Sequence, residues 1–174
     1  MTAHLSPTDG VERHFTATAY VVARGHTLLL WHEKLRMWLP PGGHCEPNED
    51  PVQAALREVG EESGLEAEVI PPPNLVDCSG PLVLPPPAVI LVEDIVRPDQ
   101  PFHQHIDHVY YTRATGEVDF RAPIPHGAHR WLAAAQLESA FSLPAPDGTL
   151  VPVAEDVRLL GIRAIAAAEG MTLC

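Results

Sequence analysis

Residues 43–65 read GHCEPNEDPVQAALREVGEESGL, and the fold is decided in this stretch. It starts as a loop, because Gly43 follows Pro40, Pro41 and Gly42 and no apolar period appears before Asp50. Asp50 can then cap the open N–H groups of a helix, Pro51 suits the first helical position, and Gln53 stands where a capping box wants Glu or Gln. Gly64 suits the left-handed residue that closes a helix. The spacing predicts a helix over Pro51–Ser63. At roughly 100° per residue, Val52, Ala55, Leu56 and Val59 form its core-facing stripe. Glu58 and Glu62 stack on one flank of that stripe, and Arg57 and Glu61 on the adjoining flank.

Like charges at this spacing cost ~0.2–0.5 kcal/mol. A divalent cation reverses the sign. Carboxylate oxygens suit Mg²⁺, with Mn²⁺ as a substitute, and a glycine loop lets a bare backbone carbonyl approach the same ion. Taken alone, the cluster fits a solvated acidic helix end equally well.

Outward from the helix, His14–Ala23 and Thr27–Glu33 read as strands joined by the turn Arg24-Gly25-His26. Met37–Leu39 is a short strand stopped by Pro40-Pro41, and Gly42–Asp50 reads as loop. Glu66–Ile70, Ala88–Val96 and Ile106–Arg113 read as further strands, with a weaker one before Trp131. Ala133–Ala140 and Val153–Glu169 read as helices. The order predicts one α/β (α+β) domain over residues 1–174, with residues 1–13 a flexible N-terminal segment.

Composition narrows the function. Acidic residues outnumber basic ones 23 to 11, for a net charge of −12, and Lys34 is the single lysine. General nucleic-acid binding is excluded, because it needs a basic surface. A protein this acidic acts on an anionic substrate only with metal ions between them. The longest apolar runs, Ala17–Ala23, Thr27–Trp31 and Ala88–Val92, fall far short of the ~20 residues of a membrane span. Met1–Arg13 has no signal-peptide stretch, and Cys45, Cys78 and Cys174 have no CxxC spacing, so a cytoplasmic protein without disulfides is expected.

The 43–65 segment resembles the signature of the Nudix hydrolases, G-x5-E-x7-R-E-U-x-E-E-x-G-U with U bulky and apolar. Gly43, Glu49, Arg57, Glu58, Val59, Glu61, Glu62, Gly64 and Leu65 fill every position. The resemblance implies an α/β/α sandwich around a mixed sheet, with the box as loop–helix–loop. It implies hydrolysis of a nucleoside diphosphate linked to another group X, with Mg²⁺ as cofactor, a small nucleotide as partner and a homodimer as one assembly the family uses. It gives Gly43, Glu58, Glu61 and Glu62 to the metal, Glu58, Glu61 and Glu62 to catalysis, and Glu49 and Arg57 to a structural pairing. The order Gly43-His44-Cys45-Glu46 does not fit the isomerases that share this fold, and a non-catalytic nucleotide-binding module is the main alternative.

Outside the box the residues are less specific. Glu93, Asp94, Asp107 and Glu117 are candidates for a general base. His103, His105 and Asp107 alternate, so an extended strand puts them on one face, fit for metal or phosphate or simply solvated. On the substrate side, His105 and Asp107 are candidates, Lys34 and Arg36 could meet phosphates, and Trp38 could stack on a base. Trp38 also fits a core role, and His44 and Cys45 read as structural.

Overall fold

A computed structural model describes residues 10–76 and 78–171. β1 (Glu12–Ala23) and β2 (His26–His32) form the expected hairpin, with Arg24 and Gly25 both at positive φ in the turn. β3 (Met37–Leu39) returns along β2. β4 (Gly42–His44) lies where the sequence suggested only loop, because two glycines give no periodic signal. It pairs antiparallel with β1, Ala17 opposite Gly43. A Cβ at Gly42 would stand 2.8 Å from the Ala17 carbonyl oxygen and from Thr18 Oγ1, so the approach requires glycine there.

α1 (Pro51–Ser63) has the predicted bounds. Asp50 accepts from the N–H groups of Val52 and Gln53, Gln53 answers to the Asp50 N–H, and Gly64 closes the helix at φ 71°. Its buried residues are Ala54, Ala55, Val59 and Ser63, so the stripe is rotated from the one read off the sequence and Leu56 is only half-buried. The small Ala54 and Ala55 let the helix sit close on β1.

β5 (Ala67–Val69), β6 (Val89–Ile95), β7 (His103–Ala114) and β8 (His129–Ala133) complete an eight-stranded sheet. Its path runs β3-β2-β1-β7-β5, with β4 on β1, β6 on β7 and β8 on β2. β1 and β7 are parallel from Glu12↔His103 to Val22↔Arg113, and the other pairs are antiparallel, which makes the sheet mixed. This long pairing corrects two expectations. β7 begins at His103, not Ile106, because β1 and β6 both bond its first residues. Glu12 and Arg13, expected in a flexible segment, are strand, and Arg13 Nε donates to Gln104 Oε1 at 3.0 Å. Residues 1–9 and Cys174 lie outside the described residues.

α2 (Ala134–Leu137) is shorter than the predicted Ala133–Ala140, with Leu137 its one buried residue. β9 (Ser142–Pro144) and β10 (Leu150–Pro152) form a small hairpin that the sequence reading did not anticipate, although Asp147-Gly148 is a turn signal. α3 (Glu155–Ala168) closes the fold. One core layer packs Tyr20, Trp31, Trp38 and Val109 against Leu137, Leu160 and Ile165, and the other packs Ala17, Val21, Leu28 and Tyr110 against Ala55 and Val59. Helices thus cover both faces of the sheet, giving the expected α/β/α sandwich. No described helix is long and apolar enough to cross a membrane.

Candidate active site

Arg57 organises the carboxylates of α1. Its guanidinium makes a two-pronged contact with Glu49, Nε to Oε1 at 2.9 Å and Nη2 to Oε2 at 3.1 Å. Nη1 donates to Glu58 Oε1 at 2.8 Å and to Glu61 Oε2 at 3.1 Å, and Nη2 also reaches the His44 carbonyl at 3.0 Å. The planar fork satisfies all of these at once, which a lysine could not. Hydrogen bonds donated to Glu49 and Glu58 hold the guanidinium ionised well beyond its ordinary range, and Arg57 holds the Glu49 carboxyl below the usual carboxylate value. Glu49 Oε2 also accepts the Glu46 N–H at 2.9 Å, tying the loop to the helix.

Glu58 and Glu62 differ from Glu61 in exposure: their side chains are 15% and 19% exposed, against 61%. Glu62 Oε2 accepts the Gly42 N–H at 3.2 Å, and Oε1 lies 3.4 Å from His126 Nδ1. Burial raises the Glu62 carboxyl above its ordinary value, with the charges of Glu58 and Glu61 adding to it, while the Gly42 N–H and His126 oppose the shift. Gly43 faces Glu58 so closely that a Cβ there would lie inside the carboxylate, 2.7 Å from Cδ.

Whether these groups suit a divalent ion can be judged from this geometry. Two half-buried carboxylates crowd one end of α1 beside a bare backbone strand, and Glu62 resists ionisation. Hard oxygen donors with excess negative charge fit Mg²⁺ or Mn²⁺.

The sheet supplies the other wall. A cavity of about 130 Å³ is lined by Thr18, Gly42, Glu62, Glu93, Asp107 and His126, among others. Asp107 is 5% exposed and accepts from Thr16 Oγ1 at 2.9 Å and Thr18 Oγ1 at 3.1 Å. Burial raises its carboxyl despite those two bonds. Glu93 is raised too, by burial first and then by Asp107 and Asp156.

Of the four base candidates, Glu93 and Asp107 therefore share the cavity with Glu62. Asp94 accepts from Gln104 Nε2 at 2.8 Å, and Glu117 lines a separate depression with Arg24 and Arg113. Lys34 and Arg36 lie in the β2–β3 turn and do not line the Glu62 cavity. Arg36 is paired with Asp147 at 2.7 Å and lies over the Trp31 ring. Trp38, 1% exposed, is packed on Trp31 in the core, closed to a stacking base. His105 joins His14, His44 and His103 instead of the cavity. His126 and Asp156 line the cavity and were not picked out from the sequence. His126 has no motif around it and is carried to Glu62 by its backbone N–H bond to the Glu62 carbonyl, 2.9 Å.

Compared with known proteins, residues 12–153 match the family model of the NUDIX domain. The chain belongs to the Nudix hydrolase family. A solved NUDIX-family hydrolase from Clostridium perfringens is 29% identical, with 91% of this chain and 99% of that chain covered and a TM-score of 0.70. A short stretch of 30 residues is 57% identical to an m7GpppN-mRNA hydrolase, NUDT17, of Bos taurus, covering 17% of this chain and 10% of that protein. An equal stretch, 57% identical over 30 residues, matches an asymmetrical bis(5'-nucleosyl)-tetraphosphatase of Sus scrofa, covering 17% of this chain and 20% of the relative. The chain thus matches only a tenth to a fifth of the length of these curated relatives.

Proposed function

We propose that this protein is a Mg²⁺-dependent pyrophosphohydrolase that cleaves a P–O–P bond in a nucleoside diphosphate linked to another group, a (d)NTP or related nucleotide. The observation that carries the reading is the Arg57 clamp, which holds Glu58 and Glu61 in place beside Gly43 while Glu62 faces the cavity shared with Glu93 and Asp107. Glu58, Glu62, the Gly43 carbonyl and, from the more exposed side, Glu61 would hold the ion. When bound, Mg²⁺ neutralises the diphosphate, lowers the pKa of a bound water and stabilises charge on the leaving phosphate.

The chain's own groups do the rest. Water adds to one phosphorus, the bridging P–O bond breaks, and the water's proton passes to a carboxylate of the cavity. Glu93 fits that task, since burial and the neighbouring Asp107 raise its affinity for a proton. Thr16 and Thr18 fix the orientation of Asp107. Arg57 and Glu49 keep the carboxylates oriented without touching substrate. A protein with net charge −12 gains nothing from nucleic-acid phosphates at large, which favours a small substrate or a chain end. Dissolved in the cytoplasm, it would meet both Mg²⁺ and nucleotides.

The test is a panel of (d)NTPs, dinucleoside polyphosphates, nucleotide sugars and a capped RNA end, each with Mg²⁺, with Mn²⁺ and with chelator. The resemblance to the tetraphosphatase and the cap hydrolase puts those two compound types first. Metal-dependent release of two phosphate-bearing products from one class supports the proposal. Tight nucleotide binding without turnover would move the reading to a non-catalytic binding module.

A further inference from the structure

β7 carries His103, His105 and Asp107 on one face, and only Asp107 reaches the cavity beside Glu62. The two histidines meet a third from β1, whose parallel register sets His14 beside His105. One ligand atom from each of His14, His103 and His105 lies within 4.8 Å of the others. Their ring centroids are 4.9 Å apart for His14 and His103 and 5.2 Å for His103 and His105. His44, at the end of β4, adds a ring 4.8 Å from that of His105 and 5.3 Å from that of His14.

The hydrogen bonds around the cluster assign the free nitrogens. His14 Nε2 lies 3.0 Å from Glu12 Oε1, an atom that only accepts, so Nε2 carries the hydrogen and Nδ1 the lone pair. That Nδ1 is buried and has no partner. His103 Nδ1 lies 2.9 Å from the Pro101 carbonyl oxygen, so it donates and leaves Nε2 as the lone-pair atom. His105 Nε2 is also buried without a partner. Burial, then the charges of His44, His103 and His14, push the His105 ring down to about 4, so it is neutral near pH 7.

A buried polar atom left unpaired is costly, and two lie here side by side. Imidazoles that bind metal commonly give their other nitrogen to a carboxylate or a backbone carbonyl. His14 and His103 each show one half of that pattern.

We propose that His14, His103 and His105 form a second metal site, for Zn²⁺ or a similar first-row divalent ion, separate from the carboxylate site on α1. Three imidazole nitrogens suit such an ion and not Mg²⁺, which prefers oxygen. Zinc–nitrogen bonds of ~2.0–2.1 Å put tetrahedral ligand atoms ~3.3 Å apart, so the rings close inward by rotation about their side-chain bonds. His44 is placed to supply or flank the fourth position. The ion would fasten the starts of β1 and β7 next to the box loop, since His44 directly follows Gly43. The site does not depend on which nucleotide the enzyme cleaves.

The experiment uses tag-free, full-length protein stripped with chelator. It is titrated in excess Mg²⁺ with Zn²⁺ by calorimetry and with Co²⁺ by visible absorption. The expected result is one Zn²⁺ per chain, a Co²⁺ spectrum of low coordination number, and a raised Tm with Zn²⁺. Glu12→Gln should weaken binding about 10–100-fold, the usual cost of losing a supporting partner, and His14→Asn and His103→Asn by more. Glu62→Gln should leave Zn²⁺ affinity unchanged. Equal affinity in wild type, His14→Asn and His103→Asn would overturn the proposal. So would loss of the bound Zn²⁺ in Glu62→Gln, which would put the ion on the carboxylates. If His103→Asn does not fold, His14→Asn and Glu12→Gln, near the start of β1, decide the matter alone.

Discussion

Replacing Gly43 by alanine adds one methyl group, and the structure gives its consequence. The new Cβ would stand 2.7 Å from Glu58 Cδ and closer still to Oε1, where ordinary contacts begin at 3.4 Å. The backbone cannot yield, because β4 is paired to β1 on both sides of this residue, at Thr18↔Gly42 and Thr16↔His44. The Glu58 carboxylate must therefore retreat by ~1 Å to restore contact distance. Its bond from Arg57 Nη1, 2.8 Å now, stretches or breaks. The stability cost is bounded by one charge-assisted hydrogen bond, about 1.5–3 kcal/mol. The catalytic cost is larger, since a misplacement of ~1 Å can reduce the rate ~10²-fold. Steady-state kinetics on the substrate found by the panel, beside urea denaturation, separates the two effects. Gly43→Ala should fold cooperatively and lose about 100-fold in kcat/KM. Activity near that of wild type would show that Glu58 need not occupy its present position for turnover.

Arg57→Lys keeps the charge but loses the fork to Glu49, and should destabilise by about 1.5–3 kcal/mol in urea while lowering kcat. Trp38→Ala should cost ~3–5 kcal/mol of stability as a core truncation, and a folded Trp38→Leu should keep the wild-type KM, which a base-stacking role would not allow. Asp107→Asn bears on pH. Burial raises the Asp107 carboxyl in the folded protein, so between the unfolded and folded values the folded state holds a proton that the unfolded chain has released, and ionising it costs stability as pH rises. In chelator, Asp107→Asn should therefore melt above wild type at neutral pH, with the gap closing as pH falls toward the ordinary aspartate value. A gap that widens on acidification would reverse the sign of the shift.

The box helix was legible to the residue because its signals are local: Asp50, Pro51, Gln53 and Gly64 each act within a turn of their own position. The strands were legible in place but not in length, since pairing partners set their ends. Nothing within His103–His105 announces a strand, and the pairing with Glu12–His14 on one side and Glu93–Ile95 on the other makes one. The same applies to the site. The helical spacing set Arg57, Glu58, Glu61 and Glu62 on neighbouring flanks, the resemblance added Glu49, and the structure brings Glu49, Arg57, Glu58 and Glu61 together because one helix and its loop hold them all. His126 and Asp156 come from a loop and from the first turn of α3 and reach the cavity only through tertiary packing. The alternation of His103, His105 and Asp107 was visible, but their division between two places was not. It depends on His14, 89 residues before His103, and on the threonines that draw Asp107 toward the cavity.

If the carboxylates gathered on α1 carry a metal-dependent hydrolysis, Glu62→Gln reveals it most directly. Glutamine keeps the size and leaves an oxygen for the Gly42 N–H, while the charge and the acceptor facing His126 are removed. With saturating Mg²⁺ and the substrate found by the panel, the variant should fold, turn over at least ~10²-fold more slowly and show a weakened Mg²⁺ dependence. Full turnover by a folded Glu62→Gln at the same Mg²⁺ concentration would contradict it.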